Sequence, residues 1–95
     1  MLVLCVDWGG GLMAEPNPEE LVDLGMLSYD KQDFSKARKY FERACGLNNG
    51  RGCNNLAVLY INGQGVEKDL TKADQYISKA CKLGDQEACE TLKEK

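Results

Sequence analysis

Four cysteines recur at one spacing. Ala44-Cys45 and Ala80-Cys81 each open a ten-residue stretch closed by a second cysteine, Cys53 and Cys89, and the two stretches lie 36 residues apart. Thiols in such a pattern can close disulfides, hold a metal, or pack as small apolar side chains. A four-cysteine zinc centre takes ligand pairs separated by two to four residues; here seven intervene. No metal and no cofactor is therefore expected. Buried free thiols stay open as an alternative, because cysteine is among the most buried residue types. Cys5 has no counterpart.

A second candidate is Ser28-Tyr29-Asp30-Lys31. It spells S-x-x-K, the motif that carries the serine nucleophile in beta-lactamases and penicillin-binding proteins. The companion motifs S-D-N and K-T-G do not occur in the chain. With three serines and nine lysines a chance match also explains the tetrapeptide, and Ser28 falls where a helix would face its partner. The chain has no histidine. The commonest general base and the commonest zinc ligand are thus both missing.

These residues must be positioned by 95 residues, one small domain in which a hydrophobic core alone gives marginal stability. The net charge of −3 argues against nucleic acid, whose binding rests on Lys and Arg neutralising phosphates. All 12 basic residues follow position 30, and no apolar run approaches the length of a membrane span.

The body repeats itself. Residues 33–56 and 69–92 share nine identities in 24 positions, among them Asp33/Asp69, Ala37/Ala73, Tyr40/Tyr76, Ala44/Ala80 and both cysteine pairs. A period in the thirties points to stacked helical hairpins. Asn17-Pro18-Glu19-Glu20 reads as a cap, an N1 proline and an acidic first turn. The first helix should run to about Gln32 with Leu21, Leu24, Gly25 and Ser28 on its buried face. Asp33 caps a second helix burying Phe34, Ala37, Tyr40, Phe41 and Ala44. A third, after Gly50-Arg51-Gly52, buries Cys53, Leu56, Ala57 and Tyr60. Asp69 caps a fourth burying Leu70, Ala73, Tyr76, Ile77 and Ala80, and Asp85 caps a short fifth through Leu92. The expected class is all-α: an α/α solenoid, a right-handed superhelix of two hairpins plus a C-terminal capping helix. Repeat one would cover about 18–49, repeat two about 50–84 and the last helix 85–95.

The second hairpin carries four more residues between its helices than the first, in "YINGQGVEKDL". With "LVDLGMLSYDKQDFSKARKYFERAC", "GCNNLAVLYINGQGVEKDLTKA" and "KACKLGDQEAC", the chain over 15–95 resembles Sel1-like repeat proteins. More narrowly, it is similar to the Helicobacter cysteine-rich protein family, secreted solenoids of this type. Members are described as penicillin-binding proteins with slow beta-lactamase activity, so the resemblance implies a beta-lactam as ligand or substrate, with Ser28 and Lys31 the candidates to act on it. It equally implies a secreted or periplasmic location.

In that frame Cys45 ends the second helix and Cys53 begins the third, and Cys81 and Cys89 repeat the arrangement. Local bridges Cys45–Cys53 and Cys81–Cys89 would fasten each hairpin to the next element. The loop-entropy estimate for a nine-residue ring is about 2.5 kcal/mol per bridge.

The alternative to catalysis is binding. In stacked hairpins the first helix of each pair lines the concave face. The positions there are Glu19, Val22, Met26, Tyr29 and Asp30, then Arg51, Asn54, Val58, Ile61 and Asn62, then Glu87 and Glu90. Tyr29, Arg51, Asn54, Asn62 and Glu90 would bind an extended peptide or a protein segment, since amides and phenols satisfy backbone groups. Met1–Ala14, "MLVLCVDWGGGLMA", reads as a leader or degenerate signal segment. It lacks the positive start and long apolar run of a signal peptide, which favours a frayed, non-native or truncated leader. A working leader would be cleaved after Ala14, leaving four cysteines and a chain starting at Glu15.

Overall fold

Each helix begins on a side chain that the sequence supplies. Asn17 accepts from the Glu20 backbone N–H at 2.8 Å while Glu20 accepts in return from Asn17 at 3.2 Å, a closed capping box. Asp33, Asn49, Asp69 and Asp85 accept from the N–H three residues on, at 3.2, 2.8, 2.9 and 2.8 Å. Such a cap is worth about 1 kcal/mol. The computed structural model describes residues 17–94. In them the chain forms α1 (Pro18–Asp30), α2 (Phe34–Gly46), α3 (Gly50–Asn62), α4 (Leu70–Lys82) and α5 (Gln86–Lys93), with no strand. The leader segment 1–14 lies outside the described residues.

α1 stops two residues before the expected end. Gln32 takes a left-handed φ of 63°, and the Asp33 N–H donates back to the Ser28 carbonyl at 2.9 Å, so the helix closes at Asp30. The two inter-hairpin turns are copies of each other. Asn49 N–H bonds the Ala44 carbonyl and Asp85 N–H bonds the Ala80 carbonyl, both at 3.0 Å, with Asn48 (φ 67°) and Gly84 (φ 98°) left-handed just before.

α1 pairs with α2 and α3 with α4; α2 then packs on α3 and α4 on α5, and α1 also touches α3. The core is Leu21, Val22, Phe41, Leu56, Leu59 and Ile77 among the alanines 37, 44, 57, 73, 80 and 88. Small residues set the helix spacing. A Cβ on Gly25 would lie 2.7 Å from Cδ1 of Phe41, and one on Gly52 would lie 2.6 Å from the Ala44 Cβ.

Four positions depart from the expected stripe. Leu24 and Leu70 are 37% and 55% exposed, whereas Val22 and Leu59 are buried. Leu70 is the first residue of α4. Leu24 borders a surface depression with Leu27 and Tyr40. Val22 is buried yet still borders the depression between the starts of α1 and α3.

The four extra residues of the second hairpin reach back to the first. A Cβ on Gly65, itself at φ 72°, would lie 2.6 Å from the Phe34 carbonyl carbon. Beside it Gln64 accepts a hydrogen bond from the Tyr29 hydroxyl at 3.1 Å. Tyr29 meets Phe34 edge-on at 5.1 Å between centroids. Tyr60 stacks on Tyr76 at 5.7 Å; burial first, then Tyr60, holds the Tyr76 phenol above the usual tyrosine range.

Candidate functional site: the seam between the first helices of the hairpins

α1 and α3 lie side by side, and their residues at i, i+3 and i+4 spacing border two depressions. One, of about 410 Å³, lies where both helices start. Glu19 and Asp23 of α1, Arg51 of α3 and Asp85 before α5 line it, three carboxylates to one guanidinium. The other, of about 220 Å³, lies further along and is mostly apolar. Met26 and Tyr29 form its α1 wall, Asn55 and Val58 its α3 wall, and Phe41 joins them from α2. The Asn55 amide sits 3.6 Å from the Met26 sulfur. Tyr29 is fixed there by Gln64 and Phe34, so the long turn of the second repeat shapes a site in the first.

The residues expected to bind a ligand separate into three groups. Tyr29 lies in the apolar depression and Arg51 in the acidic one. Asn62 and Glu90 are exposed and line neither; Asn62 donates to Gln64 at 3.3 Å. Asn54 is buried, and its amide donates to the Glu87 carboxylate of α5 at 2.8 Å, so it joins helices instead of facing an open groove. Asn55, its neighbour in sequence, is the amide that faces the seam. The 3.6-residue period leaves adjacent positions about 100° apart, and only the neighbouring helices decide which of the two is covered.

Ser28 and Lys31 border a third depression of about 150 Å³, with Leu24, Leu27 and Tyr40. Ser28 is buried, and its hydroxyl donates to the Leu24 carbonyl in its own helix at 3.1 Å.

The cysteines form two local bridges. Cys45–Cys53 and Cys81–Cys89 have Cα atoms 4.5 and 4.7 Å apart. Each spans one of the two matching turns, so the doubled spacing in the sequence is a doubled junction in space. Among the described residues no helix is long and apolar enough to cross a membrane.

Hairpins stacked through repeated turns and stapled at each junction define a cysteine-bridged helical solenoid. The chain belongs to the Sel1 repeat family, whose pattern matches residues 24–49 and 50–85. HcpC of Helicobacter pylori is 63% identical over 59 residues, 62% of this chain and 20% of HcpC. The beta-lactamase HcpA of the same species is 54% identical over 59 residues, 62% of this chain and 24% of its own. The solved structure of Helicobacter pylori cysteine-rich protein B superposes with a TM-score of 0.70 at 33% identity, covering 78% of this chain and 59% of that one. The chain spans about a fifth of the length of the curated relatives it matches, 20% in the case of HcpC.

Proposed function

We propose that this disulfide-stapled scaffold binds an extended segment of a partner protein or peptide along the α1–α3 seam. Sel1 repeats generally mediate protein–protein interaction. The observation that carries the proposal is the apolar socket of about 220 Å³ between Met26, Tyr29, Asn55 and Val58. Tyr29 is held from behind, so the socket is shaped before any ligand arrives, which lowers the ordering cost of binding. Asn55 offers an amide to a ligand backbone.

The acidic depression adds a second requirement. Asp23 and Tyr29 are six residues apart on α1, about 9 Å along the axis at the helical rise. An extended chain covers that span in roughly three residues. The favoured ligand therefore carries a basic group at one end and an apolar side chain about three residues away, with Glu19, Asp23 and Asp85 facing the base. The bridges support a location in an oxidising compartment, the periplasm or outside the cell.

Selection from a randomised peptide library, followed by calorimetry on the enriched sequence, tests this. Val58→Lys should weaken binding at least about tenfold by placing a charge in the socket, and Ser28→Ala should leave it unchanged. Equal enrichment by wild type and Val58→Lys would overturn the proposal. The beta-lactamase name of HcpA raises beta-lactam hydrolysis as the other reading. A penicilloyl adduct in the intact mass, lost in Ser28→Ala, would favour it.

A further inference from the structure

The first helices of the hairpins share one face, which in α3 and α5 is turned to the helix that precedes them. In α3 it carries Gly52, Leu56 and Leu59, all buried, with Gly52 pressed on Ala44 of α2. In α5 it carries Ala88, also buried, with Leu92 half-buried. Aligning Gly25 with Ala57 puts Glu20, Leu24 and Leu27 of α1 at the places of Gly52, Leu56 and Leu59. There the burial reverses. Leu24 is 37% and Leu27 56% exposed, against 1% and 0% for their counterparts. The same stacking chemistry is present on α1, and no described element buries it.

The uncovered stripe has a symmetry of its own. Glu20, Leu24, Leu27 and Lys31 follow at steps of four, three and four, within about 60° of one another on a helix. Glu20 and Lys31 are exposed. The order is acid, leucine, leucine, base, so the stripe is its own complement when reversed. A second α1 laid antiparallel across it sets Leu24 against Leu27 of the other copy twice. Glu20 then meets Lys31 of the other copy at both ends. A parallel arrangement would place like charges together. The depression of about 150 Å³ beside Leu24 and Leu27 gives the incoming leucine a seat, with Tyr40 on one side of it.

We propose that two copies of this chain associate through an antiparallel, two-fold pairing of α1, with Leu24 and Leu27 at its centre and Glu20–Lys31 pairs at its ends. A two-fold contact uses the same patch on both copies, as this stripe allows. Apolar contact supplies affinity, and the end charges fix direction. The stripe lies on a different side of α1 from Met26 and Tyr29, so pairing leaves the apolar socket accessible.

Sedimentation velocity of the full chain tests this between about 10 μM and about 1 mM, the regime expected of a small interface. The mean mass should rise from 10.5 kDa toward twice that value. Glu20→Lys alone and Lys31→Glu alone should each weaken association at least about tenfold, because each homodimer then opposes like charges at both ends. Mixing the two variants should restore it, since the mixed dimer regains opposite charges at both ends. Leu27→Glu, at an exposed site, should abolish association with the helical circular dichroism spectrum unchanged. A chain that stays monomeric throughout overturns the proposal. So does association insensitive to these changes, or a mixture no stronger than its parts. Leu27 shielded in a monomer would also overturn it, by assigning the face to residues 1–16.

Discussion

The Asn54 amide donates to the Glu87 carboxylate at 2.8 Å, joining α3 to α5 past the turn that already connects α4 to α5. Asn54 is buried, whereas Glu87 is exposed, so the bond is half sheltered from water. A hydrogen bond to a charged group contributes roughly 1.5–3 kcal/mol at most, and solvent at Glu87 reduces that. Asn54→Ala should lower the melting temperature by about 4–8 °C, the shift that 1 kcal/mol produces in a domain this size. Glu87→Gln keeps an acceptor and should cost less than half as much. Equal losses for the two, by thermal denaturation, would show that charge and not the hydrogen bond links the helices.

Gly25 is required by its neighbour's bulk. Phe41 is 1% exposed and its ring fills the space where a Cβ would project, 2.7 Å from Cδ1. Gly25→Ala gains helix propensity, up to about 1 kcal/mol, but overpacks the site at a cost of about 1–3 kcal/mol. The net outcome should be destabilisation. The double variant Gly25→Ala/Phe41→Leu should recover part of it, because the shorter side chain frees the volume. Chemical denaturation of the four proteins gives the coupling directly, and additive losses would mean that the ring is not what excludes the methyl group.

Local rules located four helix starts through the caps Asn17, Asp33, Asp69 and Asp85, and a cap is decided by one side chain and the N–H three residues later. The third helix, expected after Gly52, starts instead at Gly50 on an unexpected Asn49 cap. The matching turns were legible for the same reason. Burial was legible only in part. Periodicity predicts a stripe, but which stripe is covered depends on neighbours that the period does not name. Leu24 and Leu56 have the same place in their helices, yet one is 37% exposed and the other 1%. Asn54 and Asn55 illustrate the limit most sharply, since the amide expected in the groove ties α3 to α5 and the adjacent one faces the seam. The contact of Gln64 with Tyr29 was beyond sequence reasoning altogether. It joins residues 35 apart through a loop whose path follows from where Gly65 meets Phe34.

The two bridges should differ in what they protect. Cys45–Cys53 joins α2 to α3 in the middle of the stack, and both residues are buried with core on either side. Cys81–Cys89 joins α4 to α5, and α5 buries only Ala88 fully. Each nine-residue ring is worth about 2.5 kcal/mol by loop entropy. Total stability for a domain is of order 5–15 kcal/mol, so reducing both bridges should lower the melting temperature by at least about 10 °C. Cys81→Ser/Cys89→Ser should release α5 before the rest, because eight residues with one buried alanine have little apolar area of their own. Limited proteolysis would then cut beyond Gly84 while the fragment ahead of it persists. Cys45→Ser/Cys53→Ser should instead loosen the α2–α3 junction and lower stability cooperatively, with no early loss of the C-terminal end. If both double variants yield the same fragments at the same rate, the bridges do not act as separate staples.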